Sequence, residues 1–241
     1  MNLKIFETPR LRIRPSVWDD VETFFQWEQQ PAHSVTTVDH HAVVASHLVK
    51  LRGTCRDGQT MEETARKFLK DQENPNAEQF TILLKTPDLQ GLPATRSAQD
   101  AANVPQSSDA QDTRASLQKI GRIVLVDIER GWKGELWRIY IADSALRGQG
   151  LGREAMRAMM EHCFRDLALE RLYLDHYTGN PAAYLYQSLG FQYEGVLRRN
   201  CRKNGVLYDV HMMSMLREEY EEKYGQAEAA FRSADAPLTA W

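Results

Sequence analysis

The segment from Trp137 to Gly152 constrains this chain more than any other. Trp137-Arg-Ile-Tyr-Ile-Ala142 alternates as a strand does, and it leads into Arg147-Gly-Gln-Gly-Leu-Gly152, after which helical spacing runs from Gly150 to about Arg165. Glycines let a backbone turn successive N–H groups toward one point, and a helix N-terminus adds roughly half a positive charge there. A strand, a glycine turn and a helix in that order make a site suited to an anion such as a pyrophosphate. The same shape also serves as a plain tight turn, so its meaning depends on the surrounding chain.

Two phosphate-binding motifs fail on spacing. A P-loop requires Lys-Ser or Lys-Thr after its last glycine, and no such pair follows any of these glycines. A dinucleotide fingerprint runs G-x-G-x-x-G straight off its strand, with an acid about 20 residues later. Here the glycines run G-x-G-x-G, with six residues between Ile141 and Gly148; Asp175 would nearly serve as the acid, but no further βαβ units follow it.

The remaining pattern predicts a mixed α/β (α+β) domain around a largely antiparallel sheet. Strands are expected at Leu11–Arg14, Gln79–Lys85, Lys119–Ile128, Trp137–Ala142 and Arg171–Asp175. Helices are expected over Asp19–Gln29, around His41–Leu51, and from the capping box at Thr60/Glu63 to about Lys70. In the helix after the glycines, Leu151, Ala155, Met159 and Cys163 form the core face. A short helix follows with Asn180 as N-cap, Pro181 in its first position and Gly190 closing it. Asn204-Gly205 is a two-residue hairpin turn joining Gly195–Lys203 to Val206–Met215.

Residues 86–117 lack aromatic side chains and are rich in Pro, Ser, Ala, Gln and Asp, so they read as a flexible insert between two strands, and residues 221–241 read as a C-terminal tail. The net charge of -3 argues against a dedicated nucleic-acid binder. The three cysteines form no C-x-x-C pair, and neither a signal peptide nor a membrane span is evident, so a reduced cytoplasmic setting without membrane association is expected.

In the context of these elements, Arg147-Gly-Gln-Gly-Leu-Gly152 resembles the R-x-x-G-x-G/A motif of the GNAT superfamily of N-acetyltransferases. Tyr184-Leu-Tyr-Gln-Ser-Leu-Gly-Phe191, about forty residues on, is similar to that family's L-Y-x-x-x-G-F element. Thr8-Pro-Arg-Leu-Arg-Ile-Arg-Pro15 and the run from Glu194 to Tyr220 resemble the branch of ribosomal-protein N-terminal and spermidine N-acetyltransferases. The resemblance covers residues 8–220 without the insert and implies one domain of the GNAT-type fold.

It also implies acetyl-CoA as co-substrate, a primary amine (a small amine, a polyamine or a protein N-terminus) as acceptor, and direct attack without a covalent enzyme intermediate. Gly148, Gln149, Gly150, Leu151 and Gly152, with Arg147 and Arg153, would hold the coenzyme pyrophosphate. Ile141 and Ala142 would meet the pantetheine arm and polarise the thioester carbonyl. Asn180 and Ala182 would flank the coenzyme, and Tyr186 would protonate the departing thiolate. A phenol of pKa about 10 suits that donor role. From residue spacing alone, Tyr186 reads first as packed core, since it shares a helix face with Ala182, Ala183 and Leu189.

Glu135 is the family-like general base, with Asp127 and Asp175 as rivals. The implied alternative is a GNAT-fold protein that binds a CoA ester or a protein partner without catalysis. No metal is expected: His40, His41 and His47 lack the i,i+4 spacing of a helical zinc pair. Arg198, Arg199, Arg202 and Lys203 make a basic hairpin arm, Cys163 reads as inert core and Cys201 as exposed. Oligomeric state is open, a homodimer included.

Overall fold

The computed structural model describes residues 4–29, 60–85, 117–203 and 206–225. The expected helix at 41–51, the three histidines at 40, 41 and 47, the turn at 204–205 and nearly all of the 86–117 insert lie outside them. Eight strands form one sheet: β1 (Phe6–Glu7), β2 (Leu11–Pro15), β3 (Glu78–Lys85), β4 (Leu117–Glu129), β5 (Lys133–Ile141), β6 (Arg171–Tyr177), β7 (Gln192–Lys203) and β8 (Val206–Leu216). Their order is β1-β2-β3-β4-β5-β6-β8-β7. Every neighbouring pair is antiparallel except β5 and β6. That parallel pair needs a crossover, which helix α3 (Leu151–Glu161) and a following π turn (His162–Asp166) supply.

Helices α1 (Val21–Gln29) and α2 (Met61–Glu73) cover one face of β3–β5. Thr60 caps α2 as its sequence predicts: its Oγ1 accepts from Glu63 N at 3.2 Å, and Glu63 Oε2 accepts from Thr60 N at 3.2 Å. The expected first turn of α1 is instead a tight 3-10 turn, Trp18–Asp20. Its cause is Asp20, whose carboxylate accepts from Val17 N at 3.0 Å and from Arg14 at 2.7 and 2.8 Å.

The other face carries the main core, where α3, α4 (Ala182–Leu189) and α5 (Arg217–Tyr220) pack on the sheet. The α3 stripe of Leu151, Ala155, Met159 and Cys163 is fully buried there, as its four-residue spacing requires. Residues 221–225 form a π turn rather than loose tail. Tyr224 Oη donates to Leu189 O at 2.8 Å and Lys223 Nζ to Ser188 O at 3.3 Å, satisfying carbonyls at the C-terminal end of α4.

Register shifts in β5 and β7 break simple alternation near the site. In β5, Val124 pairs with Arg138 but Leu125 with Leu136, so Trp137 is an extra, bulged residue. The bulge conceals the strand's start, which falls at Lys133 rather than Trp137. In β7, Leu197 pairs with Val210 and Cys201 with Tyr208, leaving Arg198–Asn200 opposite Asp209 alone. Arg199 takes φ +51° there and donates its N–H to Asp209 Oδ1 at 2.7 Å. The distortion turns Cys201 inward, against Tyr177 and Val210, so this cysteine is buried and the expectation of exposure is corrected.

Candidate active site

β5 and β6 pair only at Lys133–Arg171, Gly134–Leu172 and Glu135–Tyr173. Beyond the Trp137 bulge they part, and the rest of β5 keeps β4 as its only paired neighbour among the described strands. Ala142 N donates to Ile120 O at 2.8 Å, toward β4. Since amides alternate along a strand, Ile141 and Ile139 direct theirs to the opposite edge, into the gap. The expected use of Ala142 is corrected here: its N–H is taken by the sheet.

A cleft of about 440 Å³ occupies this gap. Its walls are β5 (Ile139, Tyr140, Ile141), the turn and first residues of α3 (Leu146, Arg147, Gly148, Gly150, Leu151, Gly152, Arg153) and α4 with its approach (Asn180, Pro181, Ala182, Leu185, Tyr186). Of the residues expected to hold a coenzyme, Ala142 and Gln149 are absent from that lining. Ile139, Tyr140, Leu146, Pro181 and Leu185 belong to it without having been singled out.

The glycine turn is built to present N–H groups. Gly148 and Gly150 take φ +74° and +81°, a conformation that other residues resist. Gly150 is the N-cap of α3 and supplies no side-chain acceptor. The N–H groups of residues 148–153 find no acceptor among the described residues. Between strand and turn the chain makes a 3-10 turn, Ser144–Leu146, whose start Asp143 caps by accepting from Ala145 N at 2.8 Å. Gly152 leaves room for a methyl group: a Cβ there would stand 3.9 Å from Leu185 Cδ2, an ordinary contact.

Arg147 turns its guanidinium back onto the end of β5. Its Nε donates to Ile141 O at 3.0 Å and its Nη2 to Ala142 O at 2.9 Å, fastening the turn to the strand end. A second arginine, absent from the sequence-based candidates, braces the turn from outside the cleft. Arg10 Nη1 donates to Gln149 O at 2.8 Å, and Arg10 Nε donates to Glu154 Oε2 at 2.7 Å.

Asn180 begins α4, but as an Asx turn one residue outside the helix. Its Oδ1 accepts from Ala182 N at 2.9 Å, and Pro181 occupies the N-cap position assigned to it from sequence. Tyr186 is both core and cleft wall: it is 6% exposed, its ring meets Phe191 edge-on, and it lines the cavity. Burial pushes its phenol well above the usual tyrosine range, so it stays protonated.

The candidate bases lie across the sheet from Tyr186. Glu135 pairs with Val126 and Tyr173 on the α1/α2 face, and Asp175 shares the Tyr173 face of β6; both acids are buried. Asp127 is exposed, at φ +48°. Burial and the charges of Glu135 and Asp127 push the Tyr173 phenol up to about 12. On the same face, past the bulge, Arg138 donates to Glu28 Oε1, with Arg122 Nη1 3.4 Å from that oxygen. Lys67 Nζ sits 4.0 Å over the Trp137 ring, and burial together with Arg138 pushes its pKa down to about 7. Among the described residues no group of three or more His, Cys, Asp or Glu side chains could hold a metal ion, and no helix is long and apolar enough to cross a membrane.

Comparison with known proteins converges on one family. Residues 10–192 match the acetyltransferase (GNAT) domain. The chain is 30% identical over 111 residues to the "Probable N-acetyltransferase YjcK" of Bacillus subtilis (strain 168), covering 46% of this chain and 61% of that protein. It is 31% identical over 111 residues to the spermidine N(1)-acetyltransferase of Vibrio cholerae, covering 46% of this chain and 62% of that one. The chain thus spans about three-fifths of the length of these curated relatives. The solved structure of a Vibrio cholerae spermidine N-acetyltransferase in complex with CoA and spermine superposes with a TM-score of 0.60 over 88% of this chain and 99% of that one, at 19% identity, a likeness of fold. With its eight-stranded mixed sheet parted beside a glycine turn, the chain belongs to the GNAT acetyltransferase family.

Proposed function

We propose that this protein transfers the acetyl group of acetyl-CoA to a primary amine by direct attack. The observation that carries the reading is the pairing of two sets of N–H groups in one cleft: those of the glycine turn and those of the parted edge of β5. The turn, from Gly148 to Arg153, would hold the coenzyme diphosphate on its N–H groups, aided by the positive end of α3. The β5 edge at Ile139 and Ile141 would bond the pantetheine arm, and one of these amides would stabilise the oxyanion as the amine adds to the thioester carbon. Asn180 and Ala182 would flank the arm.

As the carbon–sulfur bond breaks, Tyr186 would give its proton to the thiolate. Its buried, protonated phenol suits that step. The amine's proton would leave on the other side of the sheet, to Glu135 or, through water, to Asp175. The acceptor would therefore enter from the α1/α2 face and the coenzyme from the α3/α4 face, meeting where β5 and β6 part. A small amine or polyamine is the acceptor class we favour, because curated relatives are spermidine or spermine acetyltransferases; a protein N-terminus is the competing acceptor.

The test is a calorimetric titration with acetyl-CoA, followed by a thiol-release assay over spermidine, amino acids and short peptides. Micromolar binding with turnover of any of these amines supports the reading. Absence of acetyl-CoA binding overturns it. Binding without turnover would make the protein a CoA-ester binder.

A further inference from the structure

Arg10 stands in the turn between β1 and β2, far from the glycine turn in sequence, yet it bonds to that turn at one carbonyl and lies close beside it. Its Nη1 donates to Gln149 O at 2.8 Å, and its Nη2 would stand 3.4 Å from a Cβ placed on Gly150. Glu154, in the first turn of α3, aims the guanidinium: Oε2 accepts from Arg10 Nε at 2.7 Å, while Oε1 accepts from Arg10 N at 2.8 Å and from Thr8 Oγ1 at 2.6 Å. The β1–β2 turn is itself held by Lys85, which donates its N–H to Arg10 O at 2.9 Å and its Nζ to Thr8 O at 2.6 Å. Neither Arg10 nor Gln149 lines the cleft, whereas Gly150 does.

A trans peptide carries its C=O and N–H on opposite sides, and no cis bond occurs among the described residues. A Gln149 carbonyl pulled outward by Arg10 therefore turns the Gly150 N–H inward. The pair has an electrostatic role too. A bare carboxylate in the first turn of α3 would repel an anion at that helix's N-terminus, and Arg10 neutralises it. These contacts and hydrogen bonds hold the Glu154 carboxyl below its usual range, so it is ionised and in need of a counter-charge at neutral pH.

We propose that Arg10 is a positioning residue for the coenzyme diphosphate: from behind the turn it sets the Gly150 N–H toward the cleft and cancels the charge of Glu154. The inference rests on the acetyl-CoA reading of the cleft. It assigns the Thr8-Pro-Arg10 segment a task at the coenzyme, although no atom of Arg10 need touch the ligand.

The experiment compares wild type, Arg10→Gln, Arg10→Lys and Arg10→Gln/Glu154→Gln in the full chain. Acetyl-CoA affinity is read by calorimetry, and acetyl-CoA is compared with S-acetylpantetheine, which lacks the diphosphate, as acyl donor. Arg10→Gln should weaken acetyl-CoA binding about 10- to 100-fold, the range for hydrogen bonds to charged groups. It should leave kcat/KM for S-acetylpantetheine within about twofold of wild type. Arg10→Lys should recover part of the loss by restoring charge, and Glu154→Gln in the Arg10→Gln background should recover part by removing the repulsion.

Equal losses for both donors would overturn the proposal, because damage to the fold does not distinguish them. So would an Arg10→Gln affinity for acetyl-CoA equal to that of wild type. If wild type itself fails to bind acetyl-CoA, the cleft reading falls and this inference with it, an outcome separate from wild type binding and the variant binding equally.

Discussion

Arg147 and Ile141 are joined by a 3.0 Å hydrogen bond from guanidinium Nε to backbone carbonyl, and the same side chain reaches Ala142 O at 2.9 Å. The arginine of the R-x-x-G-x-G motif thus ties the glycine turn to its strand. If its work is this tie rather than phosphate contact, Arg147→Gln should weaken acetyl-CoA binding while leaving the salt dependence of Kd unchanged. A direct ion pair would instead give the wild type a steeper salt dependence than the variant. Titrations at low and high ionic strength separate the two.

Tyr186→Phe should lower kcat by about 10²-fold or more, the usual scale of a general acid, with little change in acetyl-CoA affinity. The wild-type phenol is held protonated by burial, so the rate should not decline on its account through the ordinary tyrosine range. A variant with wild-type kcat at every pH would remove Tyr186 from the mechanism.

Lys67 is pushed down to about 7 in the folded chain, against an ordinary lysine value near 10.4. Between those values the unfolded chain holds a proton that the folded chain lacks, so this residue makes stability rise with pH, and its penalty is full below about 7. Lys67→Met should therefore stabilise the protein more at about pH 6.5 than at about pH 9.5. Urea midpoints of both proteins at the two pH values check this; an equal shift would contradict it.

Asp20 behaves oppositely. It is fully buried, and although burial opposes its charge, Arg14, Lys119, Val17 N–H and Thr81 together hold its carboxyl far below the usual range. Its contribution is complete above the unfolded carboxylate value and is lost as pH falls through the folded one. Asp20→Asn should cost about 1.5–3 kcal/mol at neutral pH by leaving the half-buried Arg14 and Lys119 without their carboxylate, measurable by chemical denaturation. A cost below about 1 kcal/mol would mean that solvent already screens these charges.

The site was legible in the sequence where it depends on local backbone. Gly148 and Gly150 announce positive φ, Leu151-Ala155-Met159-Cys163 announces a buried stripe, and Gly190 announces the end of the helix carrying Tyr186. What the sequence hides are the features set by distant partners or by breaks in periodicity. Arg10 and Glu154 are separated by 144 positions, and nothing local to either predicts the pairing. Cys201 reads as exposed because its inward turn depends on three unpaired residues opposite Asp209. Leu136-Trp137-Arg138 obscures the strand start because the bulge interrupts the two-residue period.

That bulge gives β5 two phases. Before Trp137 the odd-numbered Glu135 faces α1 and α2; after it the even-numbered Arg138 and Tyr140 do, while Ile139 and Ile141 join the aliphatic core. Trp137 adds to the ladder without shifting it: Leu136 and Arg138 face the consecutive Leu125 and Val124, so removing this one residue would leave every other side chain of the strand on its own side of the sheet. The indole is therefore spare area laid on the α1/α2 side, beneath Lys67, and the Ile139–Ile141 edge of the cleft would keep its place in the sheet without it.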